Sequence, residues 1–317
     1  MSALDVLVLG DASPGLVLSG SDVDPEFGQQ EKLIDRALLT VGGSGAIFAC
    51  AAAKLGLAVG LCGVVGDDAF GHFVRDELRD RRVDVRGLTV DRSHATGVTL
   101  VLSRGEDRAV LTAPGTSALL SGAHVDLDLM RSARHVYVSS YFLQRALQPD
   151  IASLFDEAHS AGATTSLDPN WDASDSWNGD LLGLLPSVDV FLPNSAEARR
   201  ITGIDDIDVA LESLAGRGGV VAIKFGDGGG MVQGSGGDAI RVPGISVEVV
   251  DTNGAGAAFD AGFLAGWLEG WAAERALALA NVCGGLSCTA AGGTDGQPTM
   301  DEALARLADI AGKAMPP

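Results

Sequence analysis

Long apolar runs are missing. No stretch of the 317-residue chain reaches the roughly 18 residues needed to cross a bilayer. The opening residues, Met1-Ser2-Ala3-Leu4-Asp5, lack the basic stretch of a signal peptide. Cysteine is scarce: Cys50, Cys62, Cys283 and Cys288 form no CxxC pair, and each lies in an apolar stretch. They read as buried free thiols rather than a zinc site. The five histidines show no HExxH spacing, which argues against a His-based metal site. Together these absences point to a reducing cytoplasm. Basic residues are few, 22 against 42 acids, for a net charge of −20. That charge repels phosphate backbones and anionic membrane faces, which excludes nucleic-acid and membrane partners. A small anionic ligand stays open, because a local site can oppose the global field. There is no Gly-x-x-x-x-Gly-Lys-Ser/Thr and no Gly-x-Gly-x-x-Gly after the first apolar run, so neither a P-loop nor a nicotinamide dehydrogenase is supported.

The chain is 46% hydrophobic and 20% charged, as in ordinary globular proteins. Its 43 glycines imply tight turns and close backbone approaches. Strand patterns fall at residues 6–10, 61–65, 135–138, 164–167, 188–192 and 220–225, with helical patterns at 46–57, 69–81, 148–161, 195–202 and 208–216. Such alternation implies βαβ units and a mainly parallel sheet. Leu16-Val17-Leu18 and residues 97–103 read as strands of a separate small sheet, and residues 257–269, 272–291 and 300–314 as a helical C-terminal third. No linker divides the chain. The expected architecture is one α/β domain over residues 1–317, with a small β-lid from about 11–40 and 95–115.

The most informative segment is Asp251-Thr252-Asn253-Gly254-Ala255-Gly256-Ala257-Ala258-Phe259, after the β-branched run 245–250 and opening a helical pattern. A small-residue turn at a helix N-terminus aims backbone N–H groups and the positive dipole end at one point, where an anion fits. Other segments are Gly42-Gly43 before an Ala-rich helix, Val65-Gly66-Asp67-Asp68, Asn194-Ser195-Ala196-Glu197 and Lys224-Phe225-Gly226-Asp227-Gly228-Gly229. In this order over nearly the whole chain, they resemble the ribokinase/PfkB-type carbohydrate kinase family.

The resemblance implies a ribokinase-like α/β fold: a mostly parallel central sheet flanked by helices, with a β-lid over the sugar site. It implies ATP-dependent phosphorylation of a hydroxyl on a neutral sugar or nucleoside-like substrate. Catalysis would rest on positioning and charge stabilisation. Gly254, Ala255 and Gly256 would hold the developing phosphate charge. Asn194 and Glu197 would organise Mg²⁺ and its waters, or form a capping box. Gly226 and Gly229 would let the backbone pass close to ATP, and Asn281 would stand beside the adenine. Lys224 would contact a phosphate or face solvent. The resemblance also implies a K⁺ loop formed by Asp251 and the carbonyls of Asn253, Cys288, Ala291 and Gly293. Gly42, Gly43, Asp11 and Asp168 would line the sugar pocket. Trp171, Tyr141 and Phe142 would stack on a ligand face or pack in the core. Lids of this family pair in dimers, and Leu16 and Leu18 would suit such pairing.

Three positions depart from the family pattern. Ala257 stands where the family has its catalytic Asp, and a methyl group accepts no proton. Asp260, one helical turn further on, should point away from the anion site. The chain is therefore expected to be inactive or nearly so. The intact remainder of the motif favours an engineered exchange; the alternative is a natural pseudokinase that binds its ligands as a sensor or partner protein. Gly15 stands where a sugar-binding Asp is usual, and Ile47 where an Asn is usual. Asp168-Pro169-Asn170-Trp171 lacks the Arg that would favour an acidic or phosphorylated sugar.

Overall fold

The computed structural model describes residues 4–104, 107–177 and 180–313. Residues 1–3, at the start of the chain, 105–106 of the expected lid, 178–179 and 314–317, which include the end of the last expected helix, lie outside the described residues. The strands are β1 (Leu4–Leu9), β2 (Ser13–Ser19), β3 (Arg36–Gly42), β4 (Val59–Gly66), β5 (Leu88–Asp91), β6 (Val98–Arg104), β7 (Asp107–Ala113), β8 (Ala133–Val138), β9 (Thr164–Leu167), β10 (Val190–Phe191), β11 (Val220–Lys224), β12 (Gly230–Gly234) and β13 (Ile240–Val242). The helices are α1 (Ser44–Lys54), α2 (Ala69–Asp80), α3 (Leu127–Arg131), α4 (Ile151–Ser160), α5 (Leu181–Leu184), α6 (Ser195–Thr202), α7 (Ile207–Ala215), α8 (Ala255–Leu268), α9 (Ala273–Ser287) and α10 (Met300–Lys313).

Nine strands form the main sheet in the order β13-β12-β11-β10-β9-β8-β1-β4-β5. Pairing is parallel from β5 to β11, and β12 and β13 add an antiparallel edge. Side chains on β1 alternate between two cores. Val6 and Val8 join one with α1, α8 and α9, while Leu7 and Leu9 join the other with α3, α4 and α7. Helices cover both faces, so the strand is apolar at every residue from Val6 to Leu9 rather than at every second one. Helix α8 is apolar on all sides and buried, with Asp260 its one charged residue. It packs closely on α9, because a Cβ on Gly262 would stand 3.0 Å from the Ala280 Cα and one on Gly266 3.0 Å from the Ala276 Cα.

The lid is a four-stranded sheet, β3-β2-β6-β7, in which β2 and β6 pair parallel and the two outer strands antiparallel. Its strands fall between Ser13 and Gly42 and between Val98 and Ala113. Leu16 and Leu18 are half-buried in it rather than exposed; the exposed large apolar residues on its strands are Leu39, Val110 and Leu111. The run 245–250 is not a strand. It is mostly exposed coil, entered through Pro243 and Gly244, and Ile245, Val247 and Val249 wall a cavity instead. No helix among the described residues is long and apolar enough to cross a membrane.

Candidate active site

The carboxyl ends of the parallel strands open into a cleft of about 530 Å³ under the lid, the usual ligand location in such sheets. Asp11 follows β1, Asp168 follows β9, Asn194 follows β10 and Lys224 ends β11, and all four line this cleft. Gly15, Gly42, Gly43 and Ile47 line it from the lid and α1. A second cavity of about 350 Å³ lies beside it, lined by Gly226, Gly229, Asn281 and the Ile245–Val249 wall.

Between the two sits the N-terminus of α8. Gly254 caps it in the left-handed region, with φ 77°, and no side chain caps the helix. The N–H groups of Gly256 and Ala257 belong to the first turn and have no intrahelical acceptor. They face the cleft with the dipole end behind them, an arrangement that suits an anion. Ala257 is buried at the cleft wall and offers only its methyl group.

Lys224 differs from the second of its two expected placements. It does not face solvent, and its partners are carboxylates. Its Nζ donates to Asp168 Oδ2 at 2.6 Å and to Asp260 Oδ1 and Oδ2 at 3.0 and 3.1 Å. Strand alternation explains the direction: Val220 and Ala222 join the core beneath α8, and Lys224 follows them on that face. Burial alone would lower the Lys224 pKa, but Asp168, Asp260 and Glu197 outweigh it and raise it above the ordinary value. Burial would raise Asp168, yet the Lys224 charge and hydrogen bonds hold it below the usual carboxylate range. Asp260 is fully buried, accepts from the Tyr137 hydroxyl at 3.1 Å, and is pushed well up, mainly by burial. Asp260 thus points away from the cleft, as its helix position predicts.

Asp11 accepts four hydrogen bonds, from the N–H groups of Ser44 and Gly45 and the hydroxyls of Ser139 and Ser140. Its carboxylate ties β1 to the start of α1. Asn194 and Glu197 form the capping box and line the cleft together. Burial, then the Asp168 charge, raises Glu197 to about 7. The Asn281 amide donates to the carbonyls of Val242 and Pro243, 3.0 and 3.2 Å away. Asp251 accepts from the N–H groups of Asn253 and Gly292, both at 2.9 Å, and so joins both ends of the expected cation loop. The Cys288 carbonyl already accepts from Val250 and Asp251, and the Gly293 carbonyl from Gln297. Ala291 is half-buried in the same loop. No cluster of three or more His, Cys, Asp or Glu suited to a metal occurs among the described residues. Tyr141 and Phe142 are core residues, while Trp171 is exposed and packs edge-on against Trp177. Sequence reasoning missed Arg108, which lines the cleft from the lid and donates to the Thr252 hydroxyl at 2.7 Å. The signal was a basic residue in an alternating lid strand.

The family profile described as "pfkB family carbohydrate kinase" matches residues 5–300. The chain belongs to the pfkB family of carbohydrate kinases. This PfkB chain is 34% identical over 270 residues to the ATP-dependent ribose-1-phosphate kinase of Halopiger xanaduensis, covering 84% of this chain and 86% of that protein. It is 30% identical to the fructokinase of Klebsiella pneumoniae, covering 94% and 97%. Arabidopsis thaliana ribokinase, solved with ribose and ATP, shares the fold at a TM-score of 0.82 and 24% identity, covering 96% and 99%. An E. coli protein solved in complex with ATP and Mg²⁺ shares it at 0.85 and 24%, covering 96% and 99%. The PfkB assignment and the ribokinase-like fold both agree with the motifs read from the sequence.

Proposed function

We propose that this PfkB chain binds ATP and Mg²⁺ and phosphorylates a hydroxyl of a neutral sugar or nucleoside-like substrate, with turnover cut to a trace by Ala257. The observation that carries the reading is the N-terminus of α8, whose unpaired first-turn amides stand where the two cavities meet. The apolar second cavity suits a nucleotide base, with Gly226 and Gly229 against its phosphates and Asn281 at its floor. Gly254, Ala255 and Gly256 are the anion site, and Asp11, Gly15, Gly42, Gly43, Ile47 and Asp168 bound the sugar pocket. The oxygen donors of Asn194 and Glu197 suit the water shell of Mg²⁺, which supplies charge for the phosphates. Asp251 with the carbonyls of Asn253, Cys288, Ala291 and Gly293 is an all-oxygen set that suits K⁺. The cytoplasm suits four unpaired thiols. Exposed Leu39, Val110 and Leu111 suit pairing of two lids, which the mass in solution tests.

Loss of a general base costs about 10²–10⁴-fold. Ala257→Asp should raise turnover by that order on one member of a panel of sugars and nucleosides. No gain across the panel, with ligands still shifting the melting temperature, would favour the pseudokinase reading. Arg108 favours a second reading of the substrate. A guanidinium in the cleft suits an anionic sugar, as the name of the Halopiger relative suggests. Ribose 1-phosphate therefore belongs in the panel, and Arg108→Ala should raise KM for it and not for free ribose.

A further inference from the structure

Lys224, Gly226, Thr252, Ala255 and Gly256 line both cavities. In the kinase reading, the nucleotide phosphates cross this junction. The Lys224 ammonium is there already, 3.8 Å from where a Cβ on Gly256 would stand. Three carboxylates line the larger cleft: Asp11, Asp168 and Glu197. Asp11 is occupied by four donors. Glu197 is held in the cap of α6, where it accepts from the Asn194 N–H. Asp168 keeps part of its side chain open to the cleft, and Lys224 keeps it ionised.

Resting on the kinase reading, we propose that Asp168 is the proton acceptor of this chain and that Lys224 faces the transferred phosphoryl group. The substrate oxygen bonds to the terminal phosphorus of ATP. The bond from that phosphorus to the bridging oxygen breaks, and its electron pair leaves on ADP. The hydroxyl proton passes to Asp168. Asp260 is buried in a carboxyl-raising environment and holds the far side of Lys224, with Tyr137 behind it. Before transfer, Asp168 balances the ammonium. Once Asp168 takes the proton, the Lys224 charge is uncompensated just as negative charge gathers on the phosphoryl oxygens. Proton uptake and charge stabilisation are thereby one event, in a site where fixed charges act strongly. Asp260 and Tyr137 act through Lys224 and are positioning residues.

The test places Asp168→Asn in the parent chain and in an Ala257→Asp background, which has its own base. At saturating substrate it should lower residual turnover in the parent by at least about tenfold more than in the Ala257→Asp chain, the ratio removing whatever Asp168 adds to binding in both. Calorimetry with ADP and Mg²⁺ gives a readout independent of turnover. Lys224→Met combined with Asp168→Asn, which removes charge in balance, should weaken ADP by about tenfold or more with the circular dichroism unchanged. Equal losses from Asp168→Asn in both backgrounds would overturn the proposal, as would an unmoved ADP affinity. Turnover in the Ala257→Asp chain with none in the parent overturns the Asp168 role and leaves the kinase reading standing. Turnover in neither overturns both.

Discussion

Replacing Lys224 by Met leaves two carboxylates facing each other without their cation. Asp260 has no exposed surface and the Asp168 side chain is 11% exposed. Removing one partner of a buried ion pair costs about 3–5 kcal/mol, because the remaining charge stays buried. Met fills much of the lysine volume, so the packing loss is small beside this. Unfolding entropy is about 2.1 cal/mol/K per residue, or about 0.65 kcal/mol/K for this chain, so the melting temperature should fall by about 5–8 °C. Adding Asp168→Asn removes the stranded charge and should recover about half of the loss. The sign with pH follows from Asp168. Lys224 holds its pKa below the ordinary value, so that stabilisation is present at neutral pH and is lost as pH falls through the folded value. The gap between parent and Lys224→Met should therefore be widest near neutral pH and narrow below about pH 4. Calorimetric melting at several pH values reads both quantities. A loss below about 1 kcal/mol, or a gap indifferent to pH and to Asp168→Asn, would refute the reasoning.

Three further predictions concern single groups. Burial pushes His135 down to about 3, where its ring nitrogens meet the hydroxyls of Thr164 and Ser166. Its stabilisation is present above the ordinary 6.5 and is lost as pH falls toward about 3, about 2 kcal/mol by pH 5. Glu197, raised from 4.5 to about 7, has the opposite sign, stabilising below 4.5 and losing that as pH rises. Between pH 6.5 and 5 the two nearly cancel, so urea unfolding should show an acid loss in Glu197→Gln and an acid gain in His135→Gln. Burial raises the thiols of Cys50 and Cys283 to about 12 and Cys62 to about 11. A thiol reagent at pH 8 should therefore label none of these three in the native protein and all of them in denaturant. Gly256→Ala meets nothing nearer than the Lys224 Nζ at 3.8 Å, so the fold should keep or gain stability. The same methyl covers the anion site, and ADP affinity should fall by about tenfold or more.

The sheet and the helix N-terminus at residue 254 were legible because both are local. The run Val6 to Leu9 and the Gly254–Gly256 turn carry their patterns in adjacent residues. The edge strands β12 and β13 were missed because their residues alternate weakly, and they pair only once β11 is in place. The β-branched run 245–250 forms a cavity wall, a role that its composition does not separate from that of a strand. Lys224 was legible as a site residue and not as a buried ion pair. Its partners lie 56 and 36 residues away, and no local pattern links them. The Asp11 network failed for the same reason, since Ser139 and Ser140 reach it from 128 and 129 residues along the chain.

The open space at Gly15 bears on how the cleft sorts its ligands. A Cβ there would meet nothing nearer than the Thr40 methyl at 3.5 Å, so the backbone tolerates a side chain that the chain does not have. The missing volume becomes room for a substituent on the guest. With Ile47 presenting hydrocarbon from α1 and threonines from β6 and β7 overhead, selection at this end of the cleft works through bulk and shape. Ligands that differ only in the stereochemistry of one hydroxyl should be separated weakly there, and ligands that differ in size strongly.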